Sequence, residues 1–320
     1  MATLILSRND VRELLSMAEA IEAVEEAFRK WSQGKGNMPP KAYLVVEKGD
    51  FRAMPVSLPG IAGVKWVNVH TGNILRELPT VMGVWIHSDP ETGYPLAVMD
   101  ATDMTAFRTG AAAAIASKHL ARPDSQTLGV IGAGRQAHTQ IQAHTELFKL
   151  NRINIFDLSE TAAEKLVESF PEYSPRICTL EEAAASDIIC TVTPSREPLL
   201  KKEWIRPGTH INAIGADAAG KEELEPSILQ EAIVVVDDIR QAAAAGEINV
   251  PISRGLFTVN DVHANLGEII TGKKPGRTNL NAITVFDSTG VAIEDAAVAG
   301  VIYQKARQAG NYPSFGLVDN

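Results

Sequence analysis

The residues of this chain best suited to chemistry begin with a glycine-rich turn. Gly132-Ala133-Gly134-Arg135-Gln136-Ala137 follows the apolar run Thr127-Leu-Gly-Val-Ile131 and leads into a helix-forming stretch. Between a strand and a helix, the spacing G-x-G-x-x-A is a dinucleotide-binding fingerprint. Gly132 permits the tight turn, Gly134 lets a pyrophosphate approach the backbone, and Ala137 lets the helix pack close to the strand. The N–H groups that open the helix, together with its partial positive charge, suit phosphate. Asp157 ends the next apolar run, Ile153-Asn-Ile-Phe-Asp157, twenty-five residues after Gly132. A carboxylate there can accept from the adenosine ribose hydroxyls and repel a 2′-phosphate, which points to NAD over NADP. The competing reading makes Asp157 a cap for the helix that follows.

Other polar side chains interrupt apolar runs. Lys65, in Gly63-Val-Lys-Trp-Val-Asn68, either faces solvent or sits buried with a lowered pKa. Arg52, in Phe51-Arg-Ala-Met-Pro55, carries a planar fork suited to a substrate carboxylate. Arg108 opens Arg-Thr-Gly-Ala on a predicted helix and suits either a substrate or a surface ion pair. Asp217 follows His210-Ile-Asn-Ala-Ile-Gly-Ala, and Thr193 and Ser195 close Thr191-Val-Thr-Pro-Ser195. Both stretches reach the carboxyl edge of a predicted parallel sheet, where such sheets bind ligands. His70, His87, His119, His138, His144, His210 and His263 are scattered without metal-ligand spacing, so no metal is expected. His70 reads as a loop histidine, with a substrate contact as the alternative.

These residues need elements to position them. Ser7 and Ser16 read as helix N-caps, with Ile21, Val24, Phe28 and Trp31 on one face of the second helix and Gly34 as its stop. Strands are expected at 42–47 and 51–55, joined by Lys48-Gly-Asp50, then at 63–69, 80–87 and 94–100, giving an antiparallel or mixed sheet. A helix over 102–120 and a linker at Arg122–Ser125 follow. From 127 the pattern alternates strand and helix, with strands at 127–131, 153–157, 175–179, 187–192, 209–214, 233–237 and 282–287. That predicts a doubly wound parallel sheet of the α/β class. A last helix, about 291–308, is expected to return to the N-terminal domain. With 320 residues the chain is long enough for two domains, and its net charge of −9 argues against nucleic-acid or anionic-membrane partners. No apolar run or N-terminal leader directs it to a membrane, so a cytoplasmic location is expected. Cys178 and Cys190 read as reduced core residues.

Taken together, several motifs resemble the ornithine cyclodeaminase/μ-crystallin family. They are Phe51–Pro55, Gly63–Asn68, Pro79-Thr-Val-Met82, Glu91–Asp100, Arg108-Thr-Gly-Ala, His210–Asp217 with Gly220-Lys221, and Phe286-Asp-Ser-Thr-Gly290. The order matches from near Leu4 to about residue 308, and within the family the chain looks most like the archaeal-type alanine dehydrogenases. The resemblance implies a Rossmann domain over 123–290 that holds NAD. It also implies a discontinuous α+β substrate and dimerisation domain over 1–122 and 291–320, and a homodimer joined through its N-terminal sheets. Lys65 and Asp217 would transfer protons, while Arg52, Arg108, Lys41 and Thr80 would hold substrate. Thr193, Ser195, Ile214, Gly215, Lys221 and Ser288 would surround the cofactor beside the fingerprint residues. Cyclodeaminases of this family carry an acid where this chain has Arg52, so the expected substrate is a short amino acid or 2-oxo acid. The expected reaction is reversible oxidative deamination of L-alanine to pyruvate and ammonia. Ornithine or lysine cyclodeamination, imine reduction, and a purely binding role of the μ-crystallin kind are the alternatives.

Overall fold

The structure is a computed structural model and describes residues 2–318; Met1 and Asp319–Asn320, the outermost residues of the expected substrate domain, lie outside the described residues. The chain forms two compact units: residues up to Arg108 together with those from Val291 onward, and Thr109–Gly290.

The first unit opens with β1 (Thr3–Leu6), α1 (Arg8–Leu14) and α2 (Met17–Ser32). Both helices start at capping boxes, Ser7 with Asp10 and Ser16 with Glu19, each pairing a hydroxyl and a carboxylate with the other's backbone N–H. Five strands follow: β2 (Ala42–Val46), β3 (Gly49–Leu58), β4 (Ile61–Val69), β5 (Val81–Ser88) and β6 (Pro95–Asp100). The β2–β3 register pairs Val46 with Gly49, so the hairpin turns at Glu47-Lys48, one residue earlier than expected. α3 (Thr102–Leu120) comes next and carries the division between the units, just after Arg108. Arg122–Ser125 is therefore not a boundary linker. Arg122 donates to Asp187 at 2.6 Å, and the same carboxylate accepts the N–H groups of Gln126 and Thr127.

The second unit runs β7 (Thr127–Ile131), α4 (Arg135–Leu147), β8 (Arg152–Phe156), α5 (Glu160–Glu168), β9 (Pro175–Ile177), α6 (Leu180–Ala184), β10 (Ile188–Thr191) and β11 (His210–Ala213). It continues through α7 (Pro226–Glu231), β12 (Ile233–Val236), α8 (Ile239–Ala245), α9 (Asn249–Ser253), β13 (Ala264–Asn265), α10 (Leu266–Ile270) and β14 (Thr284–Asp287). The chain then returns to the first unit as α11 (Ala292–Ala309) and a short β15 (Ser314–Phe315).

The first unit's sheet has the order β15-β1-β6-β5-β4-β3-β2. Every pairing is antiparallel except β1 with β6, a parallel edge that the hairpin signals did not reveal. Alternation along β3 buries Arg52, Met54, Val56 and Leu58 on one face, and α2 and α11 pack on this unit's strands. The second sheet is parallel throughout, in the order β13-β12-β14-β11-β10-β7-β8-β9. Its central strands β10, β11 and β14 are buried on both faces, which is why they read as continuous apolar runs rather than alternations. β9 is shorter than expected and leaves Cys178 half-buried beyond its end, whereas Cys190 is a core residue of β10. Among the described residues, no helix is long and apolar enough to cross a membrane.

One polar network crosses this second core. His144 on α4 and Asn212 on β11 both meet the Ser117 hydroxyl at 2.9 Å, while His210 touches Asn212 at 3.2 Å and Thr284 at 2.9 Å. Burial lowers the His144 pKa to about 4 and the His210 pKa to about 3. Both rings are thus neutral in the folded protein, and the unfolded chain binds protons first as pH falls below about 6.5. Removing one ring should flatten the acid side of the stability curve. Urea titrations of His144→Gln beside the parent are expected to converge by about 1.4 kcal/mol per pH unit between roughly pH 6 and 4.5; parallel curves would show that His144 does not stay neutral.

Candidate active site

In the first unit, the β3–β4 register sets Met54 opposite Lys65 and Arg52 opposite Val67. Opposed residues share a face, so Arg52 and Lys65 both lie on the apolar side of the sheet, with Trp85 of β5 across from Lys65. Lys65 is 1% exposed, which removes the solvent-facing reading. Its Nζ donates to Asp295 Oδ1 at 2.7 Å and to the Thr105 hydroxyl at 3.2 Å. Thr105 in turn donates to the carbonyl of Ala101 at 2.6 Å, so its lone pairs are turned to the lysine. Arg108, from α3, donates through Nη1 to Glu294 at 2.8 Å and through Nε to the same Asp295 oxygen at 3.2 Å. It is an ion-pair residue, but a buried one.

Burial lowers the Lys65 pKa most strongly. Asp295 opposes that shift, Arg108 and Lys41 add to it, and the result is about 7 against an ordinary lysine value of 10.5. Such an amine can accept and return a proton at neutral pH. Arg52 is also buried, with its Nε donating to Asp50 at 2.7 Å and its guanidinium 5.4 Å from the centre of the Tyr43 ring. Thr80 precedes β5, where its carbonyl accepts the His70 N–H at 2.8 Å. The His70 ring meets the Asn68 amide at 3.0 Å and the edge of Phe51.

The second unit builds the glycine-rich turn. Gly132 has φ +101°, a conformation that L side chains rarely adopt, and a Cβ there would lie 3.0 Å from the Val192 carbonyl. A Cβ on Gly134 would meet nothing within 4 Å, so the space beside the backbone is open. Gly134 is the N-cap of α4, no side chain caps that end, and Arg135 and Gln136 form its first turn over the buried Ala137. Asp157 reaches back across the turn and accepts the Ala133 N–H at 2.6 Å. Its second oxygen takes the Ser159 N–H at 2.7 Å, so it also caps the approach to α5. The capping reading of Asp157 thus has a geometric basis, and the same carboxylate braces the glycine-rich turn.

At the ends of β10 and β11, Thr193 and Gly215 are joined by Glu223. This carboxylate accepts from the Thr191 hydroxyl, both the N–H and the hydroxyl of Thr193, and the Gly215 N–H, at 2.6–2.9 Å. Ile214 is buried beside it, and Ser195 donates to the Glu197 carbonyl at 2.7 Å. Asp217 pairs with Lys221 at 2.5 Å, and Lys221 also donates to the Gly215 carbonyl. Ser288, at the end of β14, is buried with its hydroxyl unpartnered. An uncapped helix end, an open cradle at Gly134 and an unpaired buried hydroxyl fit a dinucleotide held along this edge.

Asp295, Glu294, Thr105 and Glu223 escaped the sequence reading. The first two had a signal, being adjacent acids at the start of a helix whose next seven residues, Ala296–Ile302, are all Ala, Val, Gly or Ile. Glu223 had none, because it is one of three acids in Glu222-Glu-Leu-Glu225, a stretch that looks like a solvated loop.

The alanine dehydrogenase of Archaeoglobus fulgidus is 53% identical, over 96% of this chain and 96% of that protein. A solved archaeal alanine dehydrogenase dimer with bound NAD superposes with a TM-score of 0.98 at 51% identity, over 99% of this chain and all of that one. The Thermococcus litoralis Δ1-pyrroline-2-carboxylate reductase, solved with NADH and L-proline, gives 0.95 at 38% identity, over 97% of this chain and 99% of that one. The model of the ornithine cyclodeaminase/mu-crystallin family matches residues 1–310, and the chain belongs to that family.

Proposed function

We propose that the protein is an NAD-dependent amino-acid dehydrogenase that interconverts a small L-amino acid, L-alanine foremost, with its 2-oxo acid and ammonia. The observation that carries this reading is the buried Lys65, poised near neutrality, on the same sheet face as a buried Arg52 where an acid would serve a diamino acid. The resemblance to alanine dehydrogenases over nearly the whole chain supports it.

A bound dinucleotide supplies the hydride acceptor in deamination. The chain's own residues do the rest. Arg52 and Arg108 hold the carboxylate and fix the orientation of Cα, and orientation of this kind is worth up to about 7–11 kcal/mol. Lys65 takes a proton from the substrate amine and returns it as water adds and ammonia leaves. Asp217 is assigned the second proton transfer on its place after β11, with Lys221 holding its charge. Gly132–Gln136 line the pyrophosphate and Asp157 the adenosine ribose, while Thr193, Ser195, Ile214, Gly215 and Ser288 border the nicotinamide end. The protein acts as a homodimer. Supporting that, the sheet face opposite Lys65 leaves Trp66, Val84 and Ile86 exposed, with Phe51 stacked on Trp66 at 5.4 Å. An imine reductase reading draws on the same residues, since the pyrroline-carboxylate reductase shares the fold at 38% identity.

The first test follows NADH absorbance with NAD⁺ and L-alanine, L-ornithine, L-lysine or L-proline in turn. Sustained NADH formation with alanine is expected. Ammonia from ornithine without NADH would make the protein a cyclodeaminase, and NADH from proline alone would make it an imine reductase. Deamination kcat/KM should climb about tenfold per pH unit up to about pH 7 and then level, as Lys65 loses its proton; a limb near 10 would remove a neutral Lys65 from the reaction. Arg52→Leu should raise KM for pyruvate by roughly 10- to 100-fold, the worth of a charged hydrogen-bonded pair, and an unchanged KM would end its role as carboxylate clamp. Asp157→Asn should weaken NAD more than NADP, whereas an equal loss would leave it only a structural cap.

A further inference from the structure

Building on the dehydrogenase reading, the geometry points to Asp295 as a positioning residue for Lys65, a role shared between a carboxylate on the last helix and an amine on a central strand. Asp295 sits in the first turn of α11, where the helix N-terminus favours a negative charge. Glu294 anchors that turn by reaching back to the Val291 N–H at 3.3 Å, and binds Arg108 with its other oxygen at 2.8 Å. Asp295 is left to serve Lys65. One of its oxygens takes both the lysine and the Arg108 Nε, and the other is buried with no partner. The amine is thus held between Asp295 on one side and the Thr105 hydroxyl on another, with Trp85 and Met54 as its strand neighbours.

The charged groups around Lys65 form a short series. α11 contributes Asp295 and Glu294, α3 contributes Arg108, and Lys41 acts from the segment before β2. On β3, Arg52 occupies the same face and is tied to Asp50. On β5, His87 shares the face, and burial lowers its pKa to about 4, so it is neutral near pH 7. Asp295 is therefore the anion in direct contact with the amine. Without it, burial and the neighbouring cations act unopposed, and the lysine loses its proton at lower pH. With it, the amine keeps a pKa matched to neutral solution and a fixed direction.

The test titrates Lys65 itself. Protein carrying ¹³Cε-labelled lysine is followed by NMR across pH 4–11, with Lys65→Met to assign the signal. Asp295→Asn should lower the Lys65 midpoint by about 1–3 units, the usual effect of losing an opposite charge at this distance. The acid limb of kcat/KM should move by the same amount, with kcat falling more than KM rises. Asp295→Glu, which keeps the charge, should restore most of the midpoint. Asp295→Ser serves if the Asn variant does not fold, and thermal melts establish which variants are native. A midpoint unmoved or raised in a folded Asn or Ser variant overturns the proposal. The NMR readout needs no turnover. If the parent protein oxidises no amino acid, the dehydrogenase reading fails while the Lys65–Asp295 coupling is still decided.

Discussion

The first unit depends on a charge placed where a hydrophobe would normally go. Lys65 occupies an inward position of a central strand, beside Trp85 and Met54, and a lone ammonium there would be several kcal/mol out of balance. Three devices offset it. The amine releases its proton easily, Thr105 offers a neutral acceptor, and Asp295 supplies the opposite charge. Arg108 and Glu294 complete the set as a second pair, so no member of the cluster is isolated. Such groups are costly as stabilising elements. Their presence in an otherwise apolar layer is better explained by chemistry than by folding.

The second unit solves a different electrostatic problem by different means. Here the ligand brings the negative charge, and the protein answers with backbone N–H groups and a helix end rather than with buried cations. Its carboxylates act on the scaffold instead. Glu223 gathers four donors from the ends of two adjacent strands, and Glu247 accepts the N–H groups of Glu223 and Leu224 at 2.6–2.8 Å. Burial raises both of these pKa values, and the Glu223 charge pushes Glu247 further. The loops that follow β10 and β11 are thereby braced by buried acids, much as a metal might brace them elsewhere.

The glycine-rich turn, the parallel sheet and the presence of a lysine within the β4 pattern were legible in the sequence because each leaves a local trace, whereas the side of the sheet that Lys65 faces was not. A turn needs glycine at Gly132, a doubly covered sheet needs unbroken apolar strands, and a lysine interrupts a strand pattern visibly. What could not be read were relations between distant segments. Lys65 and Asp295 lie 230 residues apart, and Thr191 and Glu223 lie 32 apart across a loop. Local periodicity carries no information about such pairs. The parallel pairing of β1 with β6 was hidden for the same reason, since nothing in Thr3–Leu6 names its neighbour. The expected linker at Arg122–Ser125 erred in the other direction. Its Pro and Asp look like punctuation, yet Arg122 is tied to Asp187, the carboxylate that also takes the N–H groups of Gln126 and Thr127 just beyond the segment.

The position of α11 in the chain has a consequence for synthesis. The ribosome releases β3, β4 and β5 long before the helix that packs on β3 and β4, with the whole nucleotide unit translated in between. Until Asp295 emerges, the nascent sheet carries an ammonium on its inner face with no anion from α11 to neutralise it. Completion of the substrate unit is thus tied to completion of the polypeptide, since a chain cut short before Ala292 lacks α11 and with it the carboxylate that pairs with Lys65.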